Sequence, residues 1–237
     1  MKLPEFEDLI VFENENYIVI NKPYDISTLD ERDISRPSII KLVRSFSAEL
    51  KICHRLDKGT SGILAIAKNE DAYRDLSLQF QKRKVSKVYH AFVNGVHSFK
   101  DLSIEYPIAI AGKSAVRIDT REGKKSTTLV NTLKTFKNSS LIEAKPLTGR
   151  MHQIRIHLAA KKAPLISDTT YGGKPILLSE IKRGYKAKKH EVERPLINRV
   201  ALHAFGLKFF DQEEEICVDT PYPADLNVLV KQLSKHL

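Results

Sequence analysis

The run His54-Arg55-Leu56-Asp57-Lys58-Gly59-Thr60-Ser61-Gly62 sets one carboxylate among cations and then passes the backbone into a Gly/Ser turn. Arg55 and Lys58 favour the ionised form of Asp57, and Gly59 and Gly62 are expected to let another backbone come close without steric cost. A carboxylate held ionised in a partly dry cleft can attack an electron-poor carbon, so Asp57 is a candidate nucleophile. The plain alternative is an N-capping Asp in a surface turn, which suits most isolated Arg-x-Asp triplets. The rest of the chain decides between the two.

The elements that must position Asp57 are legible as patterns. Residues 10–21 (IVFENENYIVIN) predict a hairpin with its turn at 13–16, ended by Pro23. Ser35 and Pro37 open a predicted helix with Ile39, Val43, Phe46 and Leu50 on one face, and that helix delivers the chain to the Asp57 loop. The apolar run 63–67 (ILAIA) predicts a buried strand, and Asn69, Glu70 and Asp71 mark the start of a helix whose inner face is Ala72, Leu76 and Phe80. From Lys87 to about Leu147 five strand-like segments separated by Gly, Asn, Ser and Lys turns predict an antiparallel meander. A helix over 148–162 follows, with Met151, Ile154 and Leu158 inward and Arg150, Gln153 and His157 on a polar face. Residues 199–218 predict a hairpin about the acidic turn 211–215, and Leu226, Leu229, Val230 and Leu233 a closing helix. No linker divides the chain, so residues 1–237 are read as a single α+β domain.

With 39 Lys and Arg against 29 Asp and Glu, the 237 residues carry a net charge of +10, which points to a polyanionic partner, nucleic acid first. Two cysteines, Cys53 and Cys217, exclude a disulfide framework and a zinc site of Cys pairs. No signal peptide or membrane span is predicted, so the expected setting is cytoplasmic. Residues 182–194 gather Lys182, Arg183, Lys186, Lys188, Lys189 and Arg194 around Tyr185, and Lys82, Arg83, Lys84 and Lys87 form a second basic run. Both are electrostatic footprints for phosphates. A solvated basic loop is the competing reading.

HRLDKGTSG closely resembles the signature of the RluA-type pseudouridine synthases. The likeness extends to IVINKP at 18–23, SKVYHAFVNG at 86–95, PLTGRMHQIRIHLA at 146–159, APLISDTTYGG at 163–173 and ALHAFGLKF at 201–209, in family order and over nearly the whole chain. The resemblance implies a bent, mostly antiparallel mixed sheet flanked by helices. It also implies isomerisation of uridine within ribosomal or transfer RNA, with no cofactor and no metal. In that reaction the N-glycosidic bond breaks, the uracil turns, and a carbon–carbon glycosidic bond forms. Asp57 falls on the family's catalytic aspartate. It would attack the uracil or the sugar, or remove a sugar proton to give a glycal. Tyr89 falls on the tyrosine that stacks on the flipped uracil and takes part in loss of its C5 proton. Arg150 falls on the arginine that pairs with the aspartate and holds it as the carboxylate.

Arg55 is expected near the flipped nucleotide, where a flat cation fills the gap left in the stack. Lys58, Thr60, Lys87, His152, Gln153, Arg155 and the 182–189 cations are expected RNA contacts. His54, His152 and His157 match no zinc spacing, and Asp168 is read as structural. The chain departs from the family at Tyr24-Asp25-Ile26-Ser27-Thr28, where many relatives carry a Gly and a later His, and at Ser167, where Gly is usual. An N-terminal S4 module is expected to be absent, leaving RNA grip to the catalytic domain, including Arg32 and Arg36. A monomer is expected. The reading from another class is a non-catalytic RNA-binding protein; it needs the basic runs but has no use for Asp57, Tyr89 and Arg150 together. An aspartate-dependent hydrolase ranks lower, because retaining glycosidases pair two carboxylates.

Overall fold

A computed structural model describes residues 4–33, 35–112, 115–185 and 192–236. In chain order β1 (Ile10–Glu13), β2 (Tyr17–Lys22), α1 (Ile39–Phe46), β3 (Lys51–Ile52), β4 (Ser61–Ala67) and α2 (Glu70–Gln81) lead to β5 (Ser86–Asn94). Then come β6 (Leu102–Ile104), β7 (Ile108–Ile110), β8 (Val116–Ile118), β9 (Thr128–Thr135), β10 (Ser139–Pro146), α3 (Gln153–Ala160) and α4 (Leu178–Ile181). β11 (Leu202–Asp211), β12 (Glu214–Asp219) and α5 (Ala224–Lys235) complete an α+β arrangement. The residues divide into two units, Met1–Val88 with His203–Pro221, and Tyr89–Leu202 with Tyr222–Leu237.

In the first unit, the predicted hairpin forms because the Asn14 side chain builds the turn, its Oδ1 accepting the N–H groups of Asn16 (3.0 Å) and Tyr17 (2.7 Å). β2 pairs antiparallel with β4, whose seven residues are all buried, as the unbroken apolar run requires. β4 also pairs with β11 in parallel, His203 opposite Ser61 and Ala204 opposite Gly62. That pairing joins segments far apart in sequence, and no local pattern announces it. The Asn69 cap is as predicted, with its side chain accepting from Ala72 N–H, and α2 lays Ala72 and Leu76 on a core with Tyr17, Ile63 and Phe209. α1 stops at Phe46, which is exposed; Leu50, predicted on the same helical face, is buried from outside the helix.

In the second unit the strands are those predicted, but their order is β5-β10-β9-β6, while β7 and β8 pair only as a separate ribbon. A sequential meander is therefore corrected: β5 takes β10 as its neighbour, and Glu105–Pro107 breaks one predicted segment into β6 and β7. The predicted helix over 148–162 shortens to α3, because His152 adopts a left-handed backbone (φ 52°) that cannot continue a helix. Residues 153–158 are buried all round, so the expected polar face does not exist: Gln153 and His157 are interior. α5 buries Leu226, Leu229 and Leu233, as its periodicity predicts.

The expectation for the two glycines separates. A Cβ on Gly62 (φ 114°) would lie 2.1 Å from the Ala204 carbonyl oxygen, whereas one on Gly59 would meet nothing within 4 Å. Gly62→Ala should therefore lower unfolding free energy by about 2 kcal/mol or more, and Gly59→Ala should change it by under ~0.5 kcal/mol, read by denaturant titration.

Candidate active site

Asp57 is half-buried in the loop between β3 and β4, and main-chain hydrogen bonds on both sides of it hold that loop. Thr28 Oγ1 donates to the Leu56 carbonyl (2.8 Å) and accepts from the Leu56 N–H (3.1 Å). The Lys58 carbonyl accepts from Asp25 N–H (3.0 Å) and from Lys22 Nζ (3.4 Å), and Thr60 N–H turns back to the Asp57 carbonyl (3.0 Å). Lys22 is fully buried at the end of β2, and its ammonium also donates to the carbonyls of Pro23 and Ile26, both at 2.8 Å. A buried cation is tolerated only when such acceptors replace its water. The loop after Pro23, singled out as a departure from the family, thus supports the carboxylate loop directly, with Asp25 in a left-handed conformation (φ 63°).

Beneath the loop, His54 Nε2 accepts the Ala65 N–H at 3.0 Å and its ring packs on Phe80. Burial, with the charge of Lys87 adding to it, lowers the His54 pKa to about 3, so the ring is neutral and structural, as expected. Burial likewise lowers the pKa of Lys87 from the usual lysine value. Lys58 is exposed and pairs with Glu31 at 3.0 Å. The Ser27 hydroxyl first, and Lys58 second, hold the Glu31 carboxyl below its usual range. Arg55 is exposed, whereas Thr60 is buried at 3% exposure and gives up its expected RNA contact.

In the second unit, Tyr89 is half-buried on β5 opposite Ala144, beside the core of Ala91, Ile154 and Leu158. Arg150 is exposed in the turn before α3, and its N–H donates to Gln153 Oε1 at 3.1 Å. The same oxygen accepts from Thr148 Oγ1 (2.7 Å), while Gln153 Nε2 donates to the Thr127 carbonyl (2.9 Å) and Thr128 Oγ1 (3.0 Å). Gln153 is therefore a buried clamp on the Arg150 turn, not an RNA contact. Arg155 is corrected in the same way: its guanidinium is a fork onto Asp168 at 2.7 and 2.6 Å, with the two side chains 10% and 0% exposed. Asp168 is structural, as expected. His157 donates to the Tyr106 carbonyl and takes Thr128 Oγ1 at its other nitrogen, and burial lowers its pKa.

His152 is half-buried. Lys82, Arg83 and Lys84 are exposed, as are Lys182 and Arg183; Lys186, Lys188 and Lys189 lie outside the described residues. Among the described residues no three His, Cys, Asp or Glu side chains converge as metal ligands would. Lys22, Thr28 and Tyr171 are the supporting residues that the sequence reading missed; a lysine closing the apolar run YIVINK was the available signal for the first.

Two outcomes follow from this geometry. Lys22→Met should remove about 3 kcal/mol of stability, since it leaves buried carbonyls without their donor, measured by denaturant unfolding. The folded-state pKa of His54 lies below its unfolded value, so the unfolded chain binds the extra proton and stability falls as pH drops through about 6 toward 3. His54→Gln should flatten that limb of the stability–pH curve by about 2 kcal/mol.

Residues 16–160, which carry Asp57, Tyr89 and Arg150, match the family model described as RNA pseudouridylate synthase. The ribosomal large subunit pseudouridine synthase C of Buchnera aphidicola is 33% identical over 96% of this chain and 71% of its own length. Its counterpart in Pasteurella multocida is also 33% identical, over 99% and 71%. In fold, the chain is similar to human RNA pseudouridylate synthase domain containing 1, with TM-score 0.69 and 27% identity, covering 99% of this chain and 98% of that one. It is also similar to human RNA pseudouridylate synthase domain containing 4, with TM-score 0.73 and 21% identity over 96% and 95%. The sequence blocks, the α+β fold and a relative matched along most of its length agree: the chain belongs to the RNA pseudouridylate synthase family and is an isomerase acting on uridine in RNA.

Proposed function

We propose that this protein converts uridine to pseudouridine in ribosomal RNA of the large subunit, acting in the cytoplasm as a monomer. The carrying observation is the likeness to ribosomal large subunit pseudouridine synthase C over 96% of the chain. Asp57 is the catalytic carboxylate, Tyr89 the ring against the displaced uracil and Arg150 the cation that serves Asp57. The support is that each falls on its family motif, inside the matched residues 16–160. Residues 1–237 act as one catalytic domain, a reading supported by that match running through both units. Arg55, Lys58, Lys87, His152 and the exposed cations of the 82–84 and 182–183 runs are assigned to the RNA, consistent with the net charge of +10. The cytoplasmic setting is supported by two free cysteines and by described helices too short or too polar to cross a membrane. The monomer is supported by large exposed apolar side chains, Val96, Ile110 and Leu133 among them, that stand on different segments.

The chemistry asks the protein for few groups. The bond from C1′ to N1 breaks, the uracil turns while retained, C1′ joins C5, the C5 proton leaves to solvent, and N1 takes up a proton from solvent, so that the product is an isomer of the substrate. A carboxylate in a loop fixed by main-chain bonds supplies the nucleophile or base at a defined place, so its geometry need not be assembled during the reaction. A binding protein without catalysis has no use for that carboxylate.

The test is tritium release from C5-labelled uridine in unmodified large-subunit ribosomal RNA transcripts, with transfer RNA transcripts alongside. Asp57→Asn should lower the single-turnover rate by at least ~10³-fold while RNA affinity stays within about threefold. Equal rates for the variant and wild type would remove Asp57 from the reaction. Release confined to transfer RNA would overturn the ribosomal assignment.

A further inference from the structure

The segment that follows β2 brings negative charge to the loop that carries Asp57, in a chain that is otherwise strongly basic. Residues 25–33 hold four carboxylates, those of Asp25, Asp30, Glu31 and Asp33, against an overall net charge of +10. The segment is pinned along its length. The N–H groups of Ile39 and Ile40, the first two residues of α1, donate to the Ser27 and Thr28 carbonyls at 2.9 and 3.1 Å, so the start of the helix is closed by this segment. Asp30 Oδ1 accepts from Ser38 Oγ at 2.6 Å, and Thr28 Oγ1 clasps both polar groups of Leu56. The Asp25 N–H donates to the Lys58 carbonyl.

From this anchored backbone Glu31 presents its carboxylate to the side chain of Lys58. Oε1 lies 3.0 Å from Lys58 Nζ and also accepts from the Ser27 hydroxyl, while Oε2 stands 3.4 Å from Arg36 Nη1. An ordinary surface ion pair is weak because two long side chains must be ordered to form it. Here the Ser27 hydroxyl and the pinned backbone order one partner in advance. The Ser27 bond first, and Lys58 second, keep the carboxyl ionised by holding it below its usual range. The Lys58 side chain is nevertheless 43% exposed, so a phosphate arriving from solvent reaches the same ammonium. A carboxylate oxygen and a phosphate oxygen make the same charge-assisted contact with a lysine, and only one of them occupies that place at a time.

We propose that Glu31 is an internal stand-in for an RNA phosphate: docking RNA exchanges the carboxylate on Lys58 for a backbone phosphate, and the returning carboxylate speeds release of the product. This rests on the pseudouridine synthase reading of the chain. Substrate and product RNA are isomers that carry the same phosphates, so the electrostatic hold does not slacken when the reaction is complete. Relief has to come from the protein, and an anion that recaptures Lys58 as the phosphate lifts supplies it. The displaced carboxylate is not stranded, because Ser27 and Arg36 remain beside it.

The test is a double-mutant cycle on RNA binding, with equilibrium affinity and chase-measured dissociation of a modified large-subunit ribosomal RNA fragment between about 50 and 200 mM salt. At the lower salt Glu31→Gln should bind about fivefold tighter than wild type and release the fragment more slowly by a similar factor. Its plot of log affinity against log salt should be steeper by about 0.7. In a Lys58→Gln background the same change should tighten binding by under about twofold. Ser27→Ala, which removes the donor that orders the carboxylate, should tighten binding about twofold, and it decides the matter if Glu31→Gln does not fold. Unchanged or weaker binding by Glu31→Gln would overturn the proposal. So would a gain that persists undiminished without Lys58, which would mark a general charge effect. A wild type that binds no RNA would overturn the RNA reading and the exchange with it. If the wild type binds RNA but releases no tritium, the isomerase reading falls, and the four affinities of the cycle still decide the exchange at Lys58.

Discussion

The buried ammonium of Lys22 is the interaction on which the loop of the candidate carboxylate Asp57 depends. Three main-chain carbonyls, those of Pro23, Ile26 and Lys58, converge on it, and the third belongs to the residue directly after Asp57. Away from water such a charge is stable only if its acceptors are held in place, and equally those carbonyls need a donor. The mutual requirement couples the loop after β2 to the loop before β4. Thr28, bonding both polar groups of Leu56, repeats the coupling one residue before Asp57. A carboxylate in a surface turn with no such support would sample many positions; here its backbone is bonded from both sides.

The same economy of design governs the second unit, where polar side chains that a sequence would assign to a ligand are used to build the turn that presents one. Gln153 meets four polar partners around the Arg150 turn, and Arg155 is fully engaged with Asp168. A buried polar group without partners is expensive, so the interior positions of α3 admit these residues only as complete networks. Exposed cations remain on several segments, Arg32, Arg36, Arg55, the 82–84 run, Lys182, Arg183 and Arg194 among them. Lys58 is a special case, since it pairs with Glu31.

These arrangements fit the demands of an isomerase acting within a polymer. The base must be displaced, retained and reattached without loss, which calls for fixed geometry more than for strongly acidic or basic groups. In the first unit that fixity comes from bonds to main chain, and in the second also from the buried Arg155–Asp168 pair. Family membership rests on the match over residues 16–160 and on relatives matched along most of the chain.

Much of this was legible in the residues themselves. Asn14 specified a hairpin turn, Asn69 a helix start, and the unbroken run 63–67 a strand buried on both faces, because each is decided by short-range sterics and hydrogen bonding or by apolar periodicity. The motif about Asp57 and its companion blocks marked the family and the candidate carboxylate. Only the tertiary structure decided the parallel pairing of β4 with β11, the place of β10 beside β5, and the late start of α3 after a left-handed His152. It alone decided that Thr60, Gln153 and Arg155 face the interior while Lys22 and Thr28 brace the Asp57 loop. Burial and long-range partners are properties of packed segments far apart in the chain: a charge pattern shows which side chains are able to bind a phosphate, but the neighbours that folding brings decide which of them are already bound.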